Sequence, residues 1–303
     1  MQSHLRVFAG VAGAALLAAA VAWGIHVHAS APQVGTLYLV NADGSGLRPI
    51  PLQGGGDPWG PAWSPDGRAL AVTISTPGKA DGQLWLISPD GTRLRQLTHN
   101  ANNNYLPAWS PDGSRLLFLS QRGRNVETAD LYVVNADGGG LRQLTRNDAQ
   151  EYGASWSPDG SRIVFGSKQS GSWQLYVMNA DGSDVTALDS GDGNAPSWSP
   201  DGRSIVFKSA RTHDDEIYLM DAAGGNVRAL TAEPSFSAEP VWSPDGQRIA
   251  FVSDRNGHRD VFIMAVASNA VTDITAALHR YDDIPTWSPD GRRLAFVAHR
   301  TKS

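Results

Sequence analysis

The sequence predicts an all-β fold: a six-bladed β-propeller of four-stranded antiparallel blades, its ring closed by pairing N-terminal strands with C-terminal ones. Three observations predict it. The pentapeptide Trp-Ser-Pro-Asp-Gly begins at Trp63, Trp109, Trp156, Trp198, Trp242 and Trp287, a spacing of 42 to 47 residues. Each copy is followed by two short runs rich in β-branched and aromatic residues and then by a final short strand, giving four strands per repeat. That period and strand count are those of a propeller blade. Turn formers are also abundant, with 32 Gly and 18 Pro, as a fold of many hairpins requires.

Residues 1–31 fall outside the repeat. Arg6 precedes an uncharged, alanine-rich run over 7–25, and the segment ends His26-Val27-His28-Ala29-Ser30-Ala31. A basic start, an apolar middle and small residues at the end have the layout of a secretory signal. Pro32 makes Ala31 a poor cleavage position, so the cut is expected after Ala29. The alternative is an uncleaved membrane anchor, because an apolar run of roughly 20 residues spans a bilayer core. Either reading puts the propeller outside the cytoplasm: periplasmic or secreted, or anchored to the inner membrane.

The propeller is expected over residues 35–300. Its strands are named a to d from the axis outward. Strand a runs into the motif Trp. Strand b follows the pentapeptide, as in Ile163-Val164-Phe165, and strand c follows a variable loop, as in Leu175-Tyr176-Val177-Met178. Strand d carries Leu-Thr, as in Leu141-Arg142-Gln143-Leu144-Thr145. Ser64-Pro65-Asp66-Gly67 has Pro at the second and Gly at the fourth position of a type I turn. Asn135-Ala136-Asp137-Gly138 reads as a Gly-ended hairpin between strands c and d. These Asn-x-Asp-Gly turns lack the further carboxylates of a calcium loop. The repeated Trp is expected to pack between blades. The chain enters on strands c and d (from Leu37) and leaves on strands a and b (to Ala298), so six full blades form only if residues 37–40 pair with residues 293–297 in one mixed blade.

At these residues the chain resembles the TolB-type C-terminal β-propeller. The resemblance rests on Trp-Ser-Pro-Asp-Gly, on Leu-Tyr-Val-Met-Asn-Ala-Asp-Gly from Leu175, and on Leu-Arg-Gln-Leu-Thr. TolB carries an additional α/β domain before its propeller, whereas here only a few residues separate the leader from the first strand. The resemblance implies a scaffold that docks protein partners in the cell envelope. Related propellers precede the catalytic domain of prolyl-oligopeptidase-like peptidases, but this sequence contains no Gly-x-Ser-x-Gly elbow.

Composition narrows the function. The net charge of -5 argues against nucleic acid as a partner, since phosphate binding needs a basic excess. With no cysteine, disulfides, thiolate metal sites and a cysteine nucleophile are excluded. No cofactor is expected.

Binding residues belong on variable loops held by a rigid scaffold. The pentapeptide and Asn-Ala-Asp-Gly turns lie on one face, the bottom, and repeat from blade to blade. The loops of the opposite, top face vary. Four residues before each motif Trp, where strand a leaves the top mouth, stand Trp59, Tyr105, Tyr152, Asn194, Ala238 and Asp283. With Glu239 and Glu151 beside this column, the mouth is expected to be aromatic on one half and acidic on the other. The candidate binding set is therefore Trp59, Tyr105, Glu151, Tyr152, Asn194, Glu239 and Asp283, for a protein or peptide partner; the competing expectation is that the aromatics plug the axial channel. Arg122, Arg211, Arg255 and Arg300, at the ends of strands b, are expected to pair with loop carboxylates such as Glu151 or Asp283. A non-catalytic role leads. The alternative is a carbohydrate-active lyase or hydrolase using His258, His279, His299 and Asp282 on the last two blades, the same residues that would serve as metal candidates, although their spacing matches no compact metal motif.

Overall fold

In a computed structural model of the chain the described residues are 34–77, 79, 81–92, 94–121, 128–212, 214–232, 235–278 and 280–299. They form six four-stranded antiparallel sheets. The leader, Arg122, His213, His279 and Arg300 lie outside them. Blade 1 has strands a to d at Asp57–Trp63, Leu70–Ser75, Gln83–Ile87 and Leu94–Gln96, and blades 2 to 5 repeat that order. Blade 6 takes strand a from Tyr281–Trp287 and strand b from Arg293–His299, and takes strands c and d from Thr36–Asn41 and Arg48–Pro49. Strands a of successive blades touch around the axis, and that of blade 6 touches that of blade 1.

The closure is the one expected from the phase of the repeat: Leu37 is opposite Val297 and Val40 opposite Leu294. It is also packed. Phe118–Tyr132, Phe165–Tyr176, Phe207–Tyr218 and Phe251–Phe262 join strands b and c with ring centroids 5.8 to 5.9 Å apart. The same contact in blade 6, Tyr38–Phe296 at 5.7 Å, joins the two ends of the chain. Every strand b is buried on both faces, as in Leu70–Ser75, because neighbouring blades cover both. Its sequence is therefore a continuous apolar run rather than an alternation. Strands d pair over two or three residues and are largely exposed, a short edge that offers little to another sheet.

A hydroxyl just after strand d ties it to strand c in five of the six blades. The Thr hydroxyl accepts the strand c amide in blades 1, 2, 4 and 5: Leu84 N to Thr98 Oγ1 at 2.9 Å, Leu131 N to Thr145, Ile217 N to Thr231, and Val261 N to Thr275. Ser190 does the same for Leu175 in blade 3. The Trp-Ser-Pro-Asp-Gly turns close as type I turns, with Gly67 N donating to Ser64 O at 2.9 Å. Asp66 Oδ1 accepts from Ser64 Oγ at 2.6 Å and from Arg68 N at 3.0 Å. These bonds hold the exposed turn aspartates below the usual carboxylate range, at about 2 for Asp112 and Asp159. Each motif Trp packs between blades, and three of them add a bond: Trp109, Trp156 and Trp287 Nε1 donate to Ala62, Ala108 and Val241 O of the preceding strand a.

Candidate binding site at the axial mouth

Strand a is bulged in all six blades, immediately after the column four residues before the Trp. The register shifts there, for example between Trp59 and Ala62 and between Asp283 and Thr286. The residue that follows the column takes a left-handed conformation every time: Gly60, Leu106, Gly153, Ala195, Glu239 and Ile284, with φ between 45° and 59°. A bulge re-aims side chains and bends the strand. Here six bulges form a ring about the axis. Their backbones press together: a Cβ on Gly153 would lie 2.8 Å from Ala195 Cα, and one on Gly60 3.1 Å from Leu106 Cδ2. Glycine at 153 is thus required by contact, and its φ also favours glycine.

Two columns line the mouth, and they are not equivalent. Tyr152 and Glu239 meet across it: Tyr152 Oη donates to Glu239 Oε1 at 2.5 Å, joining blade 3 to blade 5 over the small Asn194 and Ala195 of blade 4. Burial pushes the Glu239 carboxyl up to about 7, against the Tyr152 bond and the Lys208 charge, which pull it down. Burial and the facing Glu239 raise the Tyr152 phenol well above its ordinary range. Tyr152 also belongs to the core between blades 2 and 3 and meets the Trp173 edge at 6.4 Å. Asp283 is salt-bridged by Arg259 at 3.5 Å. The Arg259 guanidinium lies between Phe236 and Tyr281, 4.2 and 4.4 Å from their centroids. Lys208 is held by Asp215 at 2.8 Å.

The expected acidic half is therefore corrected to a charge-compensated one, with Lys208 and Arg259 beside Glu239 and Asp283. Both cations come from positions that sequence reasoning passed over. Arg259 and Trp173 each stand immediately before strand c, in a column that reads Gly35, Gly82, Thr128, Trp173, Asp215 and Arg259 around the ring. Read down the repeat, that column would have shown them.

Glu151 and Asp282 stand one residue before the mouth column, so their side chains leave strand a on its other side. Glu151 takes Thr145 Oγ1 at 2.6 Å, Asn147 Nδ2 at 3.0 Å and the Leu131 amide at 3.1 Å, inside the seam between blades 2 and 3. Burial raises it to about 7. Asp282 is fully buried near Thr275, and burial raises it to about 8. Asn194 is buried opposite Lys208. Trp59 and Tyr105 keep partial exposure, and Trp59 packs against His299 with ring centroids 4.8 Å apart and planes tilted by 41°.

Arg211 departs from the pairing with loop carboxylates expected for the strand b arginines, while Arg122 and Arg300 lie outside the described residues. Arg211 lies over Tyr218 at 4.4 Å and bonds Ser190 O and Ser209 Oγ, while Arg255 lies over Phe251 and Phe262 at 5.2 Å. Glu151 and Asp283 have other partners, in the blade 2–3 seam and in Arg259. Of the His/Asp set, His258 is exposed, His299 is against Trp59, Asp282 is in a blade seam and His279 lies outside the described residues. Among the described residues no group of three His, Asp or Glu is placed to hold a metal ion.

Comparison with known proteins agrees with this geometry. The family model described as the TolB beta propeller domain matches residues 38–126, 124–195 and 186–303. A structure described as TolB from Agrobacterium tumefaciens superposes with a TM-score of 0.73 at 24% identity, over 89% of this chain and 99% of that one. TolB from Acinetobacter baumannii superposes with a TM-score of 0.61 at 20% identity, over 94% of this chain and 69% of that one. Oligogalacturonate lyase from Vibrio parahaemolyticus shares the fold at 12% identity and a TM-score of 0.53. By sequence, 70 residues are 33% identical to dipeptidyl-peptidase 5 of Porphyromonas gingivalis, a segment spanning about a tenth of that protein's length. The chain belongs to the TolB β-propeller domain family.

Proposed function

We propose that the protein is a non-catalytic binding propeller that engages a protein or peptide partner at its top mouth, and that it acts outside the cytoplasm in the cell envelope. One observation carries the reading. A single column on six structurally equivalent bulges presents Trp59, Tyr105, Tyr152, Asn194, Ala238 and Asp283, while the turns at the other end repeat. A constant backbone with varied side chains is what a rigid scaffold needs to support a specific site. Trp59 and Tyr105, on adjacent blades and partly exposed, form the aromatic wall of this site. Glu239, partly exposed, is the polar group of this site, backed by the buried Asp283–Arg259 pair and by buried Lys208, which is paired with Asp215. The family's TolB members and the leader's composition support the location.

The test is a paired measurement. The partner is captured from envelope extract with the tagged protein and its affinity measured for Trp59→Ala and Tyr105→Ala, with the thermal midpoint of each. Loss of about tenfold or more in affinity with a near-native midpoint is expected. Native affinity in both variants would show that the aromatics only fill the channel. N-terminal sequencing of material from the native host tests export: a start near Ser30 is expected, and an intact Met1 on membrane-bound protein supports the anchor instead.

A further inference from the structure

On the bottom face the pentapeptide repeats in all six blades, but the residue that follows it at the start of strand b does not. The residue six after each motif Trp, where strand b begins, is Arg115, Arg162, Arg248 and Arg293 in blades 2, 3, 5 and 6, but Ser204 in blade 4 and, one residue ahead of the strand, Ala69 in blade 1. Each of these arginines reaches to the next blade and covers its motif Trp. Arg115 lies 4.8 Å over Trp156, Arg162 5.1 Å over Trp198, Arg248 4.6 Å over Trp287 and Arg293 5.3 Å over Trp63. All four covered indoles are buried, at 5 to 6% exposure. Trp109 and Trp242, the neighbours of Ala69 and Ser204, are left partly exposed.

The rest of the seat is intact at both places. The turns of adjacent blades interlock as elsewhere: a Cβ on Gly113 would stand 3.8 Å from Pro65 and one on Gly246 3.6 Å from Pro200, against 3.7 and 3.8 Å for the covered pairs Gly160–Pro111 and Gly291–Pro244. At one of the four places, that of Arg248, the turns also supply polar partners. Arg248 Nη2 donates to Gly291 O of the next turn at 2.8 Å and lies 3.5 Å from Asp245 of its own turn. Gly113 O with Asp66, and Gly246 O with Asp201, occupy the same places in the sequence repeat beside Trp109 and Trp242. Arg68 and Arg203, one residue earlier on the chain, lie in the turns before strand b and are exposed; the Arg68 side chain is 87% exposed and 4.0 Å from Asp66.

We propose that Trp109 and Trp242 form two guanidinium-binding sites on the bottom face, and that their occupant is an arginine-bearing basic segment of a partner protein. Four sister blades show what this seat accepts, since each fills it with a guanidinium from its own chain. A cation over an indole face is attracted by the ring quadrupole, and a guanidinium's flat fork suits simultaneous stacking and bonding to a carbonyl and a carboxylate. Ser64 and Ser199 hydroxyls hold Asp66 and Asp201 below the ordinary carboxylate range, so both acids are charged at neutral pH. The two sites are three blades apart on a ring of six, at opposite sides of the face. They are distinct from the top mouth and do not depend on it.

The experiment follows the indole N–H resonances of the folded protein, assigned by Trp→Phe substitution, during titration with a capped Gly-Arg-Gly tripeptide up to about 10 mM, a range that fills a weak site. The Trp109 and Trp242 signals are expected to shift, and those of Trp63, Trp156, Trp198 and Trp287 to stay. The same tripeptide with citrulline, equal in shape but uncharged, should shift neither. Ala69→Arg, which supplies the missing guanidinium from within, should abolish the Trp109 response alone, and Ser204→Arg the Trp242 response alone. Should Ala69→Arg fail to fold, Asp66→Asn at the exposed turn serves instead, with the Trp109 affinity falling about two- to fivefold. No shift at either Trp, an equal shift with citrulline, or a Trp109 response unchanged in both Ala69→Arg and Asp66→Asn overturns the proposal.

Discussion

At the scale of single residues, the motif Trp shows how one repeated letter takes different weights. Trp156 is buried at 5% exposure, donates to Ala108 O at 3.3 Å and lies under Arg115. Trp109 makes the matching bond to Ala62 O but has no arginine over it among the described residues, and keeps partial exposure. Trp156→Ala is therefore expected to cost about 3–5 kcal/mol, the range for a buried aromatic truncation. Trp109→Ala should cost less by about 1 kcal/mol, the worth of the missing cation contact. Chemical denaturation of both variants measures the difference; equal losses would show that the arginine contributes nothing. The pentapeptide was legible as an inter-blade anchor at all six positions. The distinction among its copies was not, because the covering residue comes from the neighbouring blade.

At the scale of the element, strand a is defined by its bulge. Non-glycine residues rarely take positive φ, and a β-branched side chain there is a true outlier. Ile284 has φ 45° in the ring of bulges. Glycine suffers no Cβ penalty in this region, whereas alanine does, by about 1–2 kcal/mol. Ile284→Gly is thus expected to be more stable than Ile284→Ala by about 1 kcal/mol, the reverse of their order in an ordinary strand, where Gly is the weaker residue. Thermal or urea unfolding of the two variants decides it, and an Ala variant at least as stable as the Gly one would mean the bulge relaxes. The strand itself was legible from its sequence. Its bulge was signalled only by Gly60 and Gly153, since Leu106, Ala195, Glu239 and Ile284 do not favour the conformation locally; the packing of the ring imposes it.

For the whole molecule, the acids fall into two classes with opposite pH signatures. Glu151 and Glu239 are raised to about 7 and Asp282 to about 8, from ordinary values of 4.5 and 3.8, by burial. The folded state binds protons there that the unfolded state has released, so their contribution is fully present below about pH 4 and is lost as pH rises towards 8. The turn aspartates are shifted the other way. Asp112 and Asp159, at about 2 against 3.8, contribute above about pH 4 and lose that contribution as pH falls towards 2. Being exposed, they contribute weakly. Stability should therefore peak near pH 4 to 5 and decline through neutrality to pH 8. Glu239→Gln, which keeps an acceptor for Tyr152 without a proton to lose, should flatten the decline between pH 5 and 8. Thermal midpoints across this range for both proteins check it; a midpoint that rises from pH 5 to 8 in the native protein would refute it.

The sequence by itself determined the architecture. Six in-phase copies of Trp-Ser-Pro-Asp-Gly fix the blade number, the hairpin turns fix the strand order, and the phase of the chain ends fixes the pairing of residues 37–40 with residues 293–297. These features are local or periodic, so they can be read along the chain. The columns of the mouth were legible for the same reason, as positions at a fixed distance from the Trp. Tertiary structure alone decided what those positions do. It turned Glu151 and Asp282 into the seams between blades, joined Tyr152 to Glu239 across the axis at a separation of 87 residues, brought Arg259 to Asp283, and left Trp109 and Trp242 partly exposed, with no arginine over them among the described residues. Each outcome depends on which side chain a neighbouring blade supplies, and contact between blades, which no local pattern along the chain records, sets those partners.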